Sequence, residues 1–117
     1  MVLLDQKLMQ QFNTLLKWYR DHGYLLEADS EQGDLFRLVD TILRKAFQCL
    51  PNQLQPIFVD YYVQHLNNID LFDQLAISRS QFYTRKQAGI EMLVEIVGQA
   101  KLSELSRKIS AGEVVNG

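Results

Sequence analysis

The side chains with the clearest chemical potential are eight polar and basic residues in the second half of the chain. They are Ser78, Arg79, Ser80, Gln81, Tyr83, Thr84, Arg85 and Lys86. An arginine can donate two parallel hydrogen bonds to a guanine edge, and a glutamine can pair with an adenine edge. Serine, threonine, tyrosine and lysine more often bind phosphate oxygens, which position a protein on DNA without specifying its sequence. These residue types therefore predict a nucleic-acid contact.

This segment opens a predicted long helix that follows a short helix and a tight turn. Asn67, with Asp70 three residues later, predicts the start of the short helix, which ends by Leu75. Ser78 and Gln81 fit a capping box, in which each side chain bonds the other's backbone N–H. The apolar residues that would hold the two helices together are Leu71, Leu75, Ile77, Phe82 and Leu93. The layout is typical of a helix-turn-helix, which presents polar side chains from the start of its second helix.

Apolar residues at helical spacing predict further helices upstream, and no segment alternates as a strand does. The predicted helices cover residues 3–23, then 34–49, and a third that starts within 52–56. Residues 27–34 are acidic and polar and predict either a loop or the frayed start of the second helix, which Pro51 ends. The last helix is expected to continue through Gly98 to Leu105 or Ile109, with Gly89 at a close helix crossing. We therefore predict an all-α fold, with two N-terminal helices packed on a C-terminal helix-turn-helix with a long last helix.

The same pattern divides the chain into three parts. Residues 1–50 form an N-terminal helical part, which could dimerise through Leu3, Leu4, Leu8 and Trp18. Residues 51–109 contain the helix-turn-helix. The polar tail at 110–117 is expected to be disordered.

Charge is unevenly distributed, although the formal net charge is only −2. Residues 1–77 carry 6 Lys and Arg against 10 Asp and Glu, whereas residues 78–108 carry 6 Lys and Arg against 3 Glu. The basic charge thus gathers on the predicted final helix, as a nucleic-acid contact requires. The small total argues against strong non-specific binding to polyanions.

Other kinds of function find no support in the sequence. His22 and His65 stand apart from any metal-binding spacing, and no phosphate-binding glycine loop or nucleophile motif occurs. The single cysteine, Cys49, lies between Phe47 and Leu50 and is expected to be a small buried residue. No apolar run reaches the roughly 18 residues of a membrane span, and Met1 to Gln10 does not resemble a signal peptide. We expect a cytoplasmic protein that is no enzyme and uses no metal or cofactor.

A family resemblance supports the same interpretation. Residues 55–97 resemble the DNA-binding part of region four of bacterial sigma factors, with Leu75-Ala76-Ile77-Ser78 in place of that family's Leu-Gly-Ile-Ser. Phe82 takes the apolar position of the recognition helix, and Arg85 takes the following arginine. The stretch ISRSQFYTRKQAGIEML is similar to ArpU-like regulators of Gram-positive phages and prophages, and residues 38–62 also resemble that family.

The resemblance implies a sequence-specific transcriptional regulator of phage or prophage type that binds double-stranded DNA. A homodimer would place two recognition helices about 34 Å apart, one turn of duplex. The alternative is a helical adaptor that binds another protein, such as RNA polymerase or a sigma factor, without contacting DNA. The acidic N-terminal half favours this alternative, and so does Phe72, which stands where the family usually has a small residue.

Overall fold

The computed structural model describes the backbone of residues 6–116 and the side chains of residues 6–111. Within that range the protein is all-α, as predicted, and contains no strand. The helices are α1 (Gln6–Asp21), α2 (Glu31–Gln48), α3 (Gln55–Phe58, extended by a π-helical turn at Val59–Val63), α4 (Asn68–Leu75), α5 (Arg79–Val97) and α6 (Gln99–Asn116). A 3₁₀ turn, Gly23–Glu27, joins α1 to α2. None of the helices in residues 6–116 has both the length and the apolar character needed to cross a bilayer.

A single hydrophobic core draws residues from both halves of the chain. The most deeply buried side chains are Phe12, Leu15, Leu16, Leu43, Phe47, Ile57, Phe58, Leu71, Phe82, Leu93, Leu102 and Leu105. Helix α5 packs against α1, α2, α3 and α6, and α6 also lies against α1. The core therefore holds α5 through Phe82 and through one face of its C-terminal half, while the other side chains of residues 79–84 stay exposed.

Helix α2 begins at Glu31, three residues before its predicted start at 34 and within the acidic segment 27–34. The hydroxyl of Ser30 accepts a hydrogen bond from the backbone N–H of Gly33 at 3.1 Å and caps the helix. Gly33 is buried, and a Cβ there would lie 2.9 Å from the carbonyl carbon of Ala28. Of the two predicted alternatives, residues 31–34 therefore form the start of the helix rather than a loop.

Gly98 separates two helices that the sequence pattern predicted as one. Its φ of 89° and ψ of 147° lie outside the helical region, in a conformation that favours glycine. Helix α5 ends at Val97 and α6 starts at Gln99, so that Leu102, Leu105 and Ile109 are buried in the core. Helix α6 continues to Asn116, whereas a disordered tail was expected from residue 110.

Gly89 lies at a close crossing of α5 and α3, as predicted from the sequence. A Cβ at this position would lie 2.7 Å from Cζ of Phe58, whose side chain is fully buried. The ring of Phe58 also stacks on Phe47, with centroids 5.6 Å apart. Only a glycine lets the backbone of α5 approach this aromatic cluster so closely.

Two predictions about burial need correction. Cys49 is exposed rather than buried: it caps the C-terminal end of α2, and its neighbour Leu50 lies in the core instead. Trp18, a predicted dimer contact, is 8% exposed and stacks on His22 within its own chain, with centroids 5.1 Å apart. Its side chain is therefore part of the core. The other dimer candidates are Leu8, which is half-buried, and Leu3 and Leu4, which lie outside the described residues.

Candidate nucleic-acid interface

Side-chain hydrogen bonds cap the starts of both α4 and α5. Asn67 caps α4 through its Oδ1, which accepts from the N–H of Asp70 at 2.8 Å. Ser78 caps α5 through its Oγ, which accepts from the N–H of Gln81 at 3.1 Å, while Oε1 of Gln81 accepts from the N–H of Ser78 at 2.9 Å. Both predicted caps are confirmed, and each satisfies N–H groups that a helix start otherwise leaves unpaired.

The apolar residues predicted to join α4 and α5 lie in the core or against it. Leu71, Phe82 and Leu93 are buried, and Leu75 and Ile77 are half-buried against the core. These are the residues that the sequence analysis assigned to this role.

Phe72, which departs from the family pattern, is accommodated by an edge-to-face contact with Phe82. The two ring centroids lie 5.0 Å apart and the ring planes cross at 67°. Such a geometry adds to the stabilisation from burial alone, by about 1 kcal/mol. Phe72 therefore supports the start of α5 rather than displacing it.

Ala76 adopts a left-handed conformation at the end of α4, with φ 53° and ψ 43°. This conformation brings the N–H of Ile77 to the carbonyl oxygen of Phe72 at 3.2 Å and closes the turn. Any residue with a Cβ is strained in this region, whereas glycine is not.

We expect Ala76→Gly to raise the free energy of unfolding by roughly 0.5–1 kcal/mol, because the relieved strain exceeds the added entropy of the unfolded chain. Urea denaturation followed by circular dichroism measures this change. Ala88→Gly is the matched control, since Ala88 is exposed inside α5, and it should lower stability by about 1 kcal/mol. A loss of stability in both variants would contradict the role given to the left-handed turn.

The first turns of α5 present one continuous polar face. Arg79, Ser80, Tyr83, Thr84 and Gln87 are all exposed, and at 3.6 residues per turn they fall within an arc of about 140°. The guanidinium carbon of Arg79 lies 5.7 Å from the centroid of the Tyr83 ring. This cation–π contact restricts the arginine without using its hydrogen-bond donors.

Ser78 and Gln81 cap the start of α5, and this role limits their use in contacts with bases. Both are exposed, yet their side-chain oxygens are used in the capping box. The amide nitrogen of Gln81 remains a donor, but its oxygen is already bonded to the backbone, which removes the paired donor and acceptor that an adenine edge needs.

Arg85 lies on a different flank of α5 from the polar face. It is half-buried and stands about 160° around the helix from Tyr83. The eight predicted residues are therefore adjacent in sequence but do not all face the same direction.

Lys86 turns toward the body of the protein and lies over two tyrosines. Its Nζ is 5.2 Å from the ring centroid of Tyr61 and 5.6 Å from that of Tyr62. Burial and, to a lesser extent, the nearby charge of Arg20 lower the pKa of Lys86. Lys86 lies about two turns after Arg79 on α5 and only about 20° around the helix from it.

Arg20 is a residue that the sequence analysis did not assign to the site. Its guanidinium carbon lies 4.3 Å from the centroid of Tyr61, and its Nε donates to the carbonyl oxygen of Tyr61 at 3.2 Å. The only sequence signal was its place among basic residues at the end of α1, which indicates a favourable position near the helix dipole. The position of Arg20 near the end of α1 does not indicate that it shares the ring of Tyr61 with Lys86.

The basic charge of the C-terminal region divides between α5 and α6. Lys101 and Lys108 on α6 both pair with Glu104, at 3.5 and 3.2 Å, and these contacts lower the pKa of Glu104. The expected single basic helix is therefore two helices, and of its cations only Arg79 lies on the polar face, with Lys86 beside it. Residues 6–111 contain no cluster of three His, Cys, Asp or Glu side chains suited to a metal ion.

Compared with known proteins, the chain matches no family model, no curated protein and no solved structure.

Proposed function

We propose that this protein is a sequence-specific DNA-binding transcriptional regulator of phage or prophage type, in which α4 and α5 act as a helix-turn-helix. The observation that carries the proposal is the exposure of Arg79, Ser80 and Gln81 at the start of a capped helix. A recognition helix must reach into a groove about 12 Å wide, so its first turns must be free of the rest of the chain. The resemblance of residues 55–97 to sigma region four supports the same assignment.

In this proposal the polar face of α5 enters the major groove. Arg79 reads a base edge, since its guanidinium is exposed and its orientation is restricted by Tyr83. Ser80, Thr84 and Tyr83 hold phosphates or base edges beside it. The N-terminus of α5 adds a partial positive charge toward the DNA backbone. A homodimer stays a prediction, with residues 1–34 the segment whose role is least defined.

The test is a titration of the purified protein against duplex DNA from upstream of its own reading frame, alongside a pool of random duplexes. We expect binding at about 50 mM salt that weakens steeply toward 200 mM, because bound cations displace counterions from the phosphates. Selection from the random pool should yield a preferred sequence. Failure to bind any duplex at the lower salt would refute the proposal.

A protein-binding adaptor is the second candidate, and a specific observation favours it. Ile69 is 71% exposed, and Met92 and Ile96 are exposed one turn apart on α5. Apolar side chains at such positions suit a protein partner. Mixing the nuclease-treated protein with purified RNA polymerase, then separating by size, distinguishes the candidates. Co-elution without DNA supports the adaptor, and co-elution only with DNA supports the regulator.

A further inference from the structure

A small cleft lies between α1, the π-helical turn of α3, and α5. We call it the cationic cleft. Its volume is about 260 Å³, and its lining includes Lys17, Arg20, Asp21, Tyr61, Tyr62 and Lys86. Three of these six residues are cations and one is an anion, although the segment 1–77 is acidic as a whole.

Arg20 and Lys86 are brought together in a cleft whose lining contains a single carboxylate, Asp21. Both cations lie over the ring of Tyr61, and neither forms an ion pair with a carboxylate among the described residues. Elsewhere in that range Arg37, Arg44, Lys101 and Lys108 are paired with acidic side chains. Two like charges in a partly buried position repel each other, and an anion bound to both would offset that cost.

The hydrogen bonds of the cleft leave donors available to such an anion. The Nε of Arg20 is used by the carbonyl oxygen of Tyr61, which fixes the guanidinium and leaves its two terminal amino groups without a bond in residues 6–111. The hydroxyl of Tyr62 stays protonated, since burial raises its pKa well above the ordinary value. An arginine fork and a lysine ammonium together suit an anion that has several acceptor oxygens.

We propose that the cationic cleft binds a phosphate group through Arg20 and Lys86. Phosphate carries up to two charges and three or four acceptor oxygens, which matches two cations better than a single carboxylate does. The cleft is smaller than the roughly 300–1,000 Å³ of sites that enclose a drug-sized ligand, so one phosphate group fits it better than a whole nucleotide.

The phosphate can come from either of two sources. Lys86 stands about two turns along α5 from Arg79 on nearly the same flank, so a duplex backbone on α5 could extend into the cleft. A free phosphate-bearing molecule could also occupy it. The first source depends on the proposed function, whereas the second does not.

The experiment titrates the protein with inorganic phosphate at constant ionic strength, using chloride as the reference. Two-dimensional spectra follow the ring signals of the tyrosines and the ε-methylene signals of the lysines. We expect saturable shifts for Tyr61 and Lys86 with phosphate but not with chloride. Arg20→Gln with Lys86→Gln should weaken binding about tenfold or more, since it removes two charge-assisted hydrogen bonds.

Two controls separate the cleft from general charge. Lys45→Gln with Arg107→Gln removes the same charge from exposed positions on α2 and α6, and it should bind phosphate as the wild type does. Lys86→Arg keeps the cation and should retain binding. If the double cleft variant unfolds, Lys86→Gln and Lys86→Arg form the test by themselves.

A second arm measures duplex binding by the same variants. If inorganic phosphate saturates the cleft and competes with DNA, the cleft binds a phosphate of the DNA backbone. If it saturates the cleft without competing with DNA, the cleft binds a free phosphate-bearing molecule. If inorganic phosphate shows no saturable binding, the DNA measurement still tests the backbone source. That source is supported if the slope of log DNA affinity against log salt concentration is smaller by about 0.9 in the Arg20→Gln, Lys86→Gln variant than in the wild type. The proposal is overturned if phosphate does not saturate and the cleft and control variants show equal DNA binding. Phosphate binding without any DNA binding would refute the proposed function and leave the cleft standing.

Discussion

Replacing Arg79 and Lys86 together by alanine is expected to weaken duplex binding by about 100-fold at low salt. One bidentate arginine contact to a base contributes about 1–3 kcal/mol, and a phosphate contact from lysine adds a smaller, sequence-independent amount. Both side chains lie on nearly the same flank of α5, so their losses should act on one interface. Fluorescence anisotropy with a labelled duplex measures the change, and the salt slope should fall by about 0.9 for each phosphate contact removed.

The control for this result uses Arg85, which the sequence assigns to the same contact set. Arg85→Ala with Arg107→Ala removes two positive charges from positions outside the polar face. Since general electrostatic attraction falls equally in both double variants, only the loss of specific contacts distinguishes them. We expect the control to bind within about fivefold of the wild type. If both double variants lose affinity equally, the polar face defined by Arg79, Ser80, Tyr83, Thr84 and Gln87 is not the contact surface.

Gly89→Ala is expected to lower the free energy of unfolding by about 2 kcal/mol, although alanine is the better helix former. The propensity gain is about 1 kcal/mol, but the new methyl group collides with the ring of Phe58 in a packed core, and overpacking this severe costs about 3 kcal/mol, the upper end of the usual range. Urea denaturation of the wild type and the variant measures the difference. If the variant keeps the native fold, its free energy of unfolding should fall while the slope of that free energy against urea concentration stays unchanged.

A double-mutant cycle with Phe58→Leu isolates the contact. Phe58→Leu alone destabilises because it leaves a cavity beside Phe47, but it also opens space next to Gly89. We expect Gly89→Ala to cost at least about 1 kcal/mol less in this background than in the wild type, since the two sites are in contact. Additive losses, or a net stabilisation by Gly89→Ala alone, would show that α3 and α5 do not cross closely there.

Short-range features of the fold were predictable because their causes are local. The caps at Asn67 and Ser78 depend on side chains that reach N–H groups three residues away, and Pro51 excludes a continuing helix wherever the rest of the chain lies. Gly89 was also predictable as a close crossing, since a glycine inside an apolar helix needs a packing reason. The polar face of α5 follows from the cap together with the helical period.

Other features depended on contacts between distant segments. Gly98 occurs within an apolar period that continues unbroken to Ile109, so the pattern alone predicts one helix. Only the burial of Leu102 and Leu105 against the core reveals the bend. Ala76 likewise adopts a left-handed conformation that its Cβ disfavours, so local propensity could not predict it.

The sequence by itself determined the all-α class, the capped start of α5 and the residue types that this helix offers to solvent, because each arises from interactions within a few residues. Tertiary structure alone decided which of those side chains act together. It turned Lys86 toward Tyr61 and Arg20, which are distant in sequence, and it left Arg85 on another flank. The physical reason is that a helical period sets the angle between side chains, but only packing decides which angles face solvent.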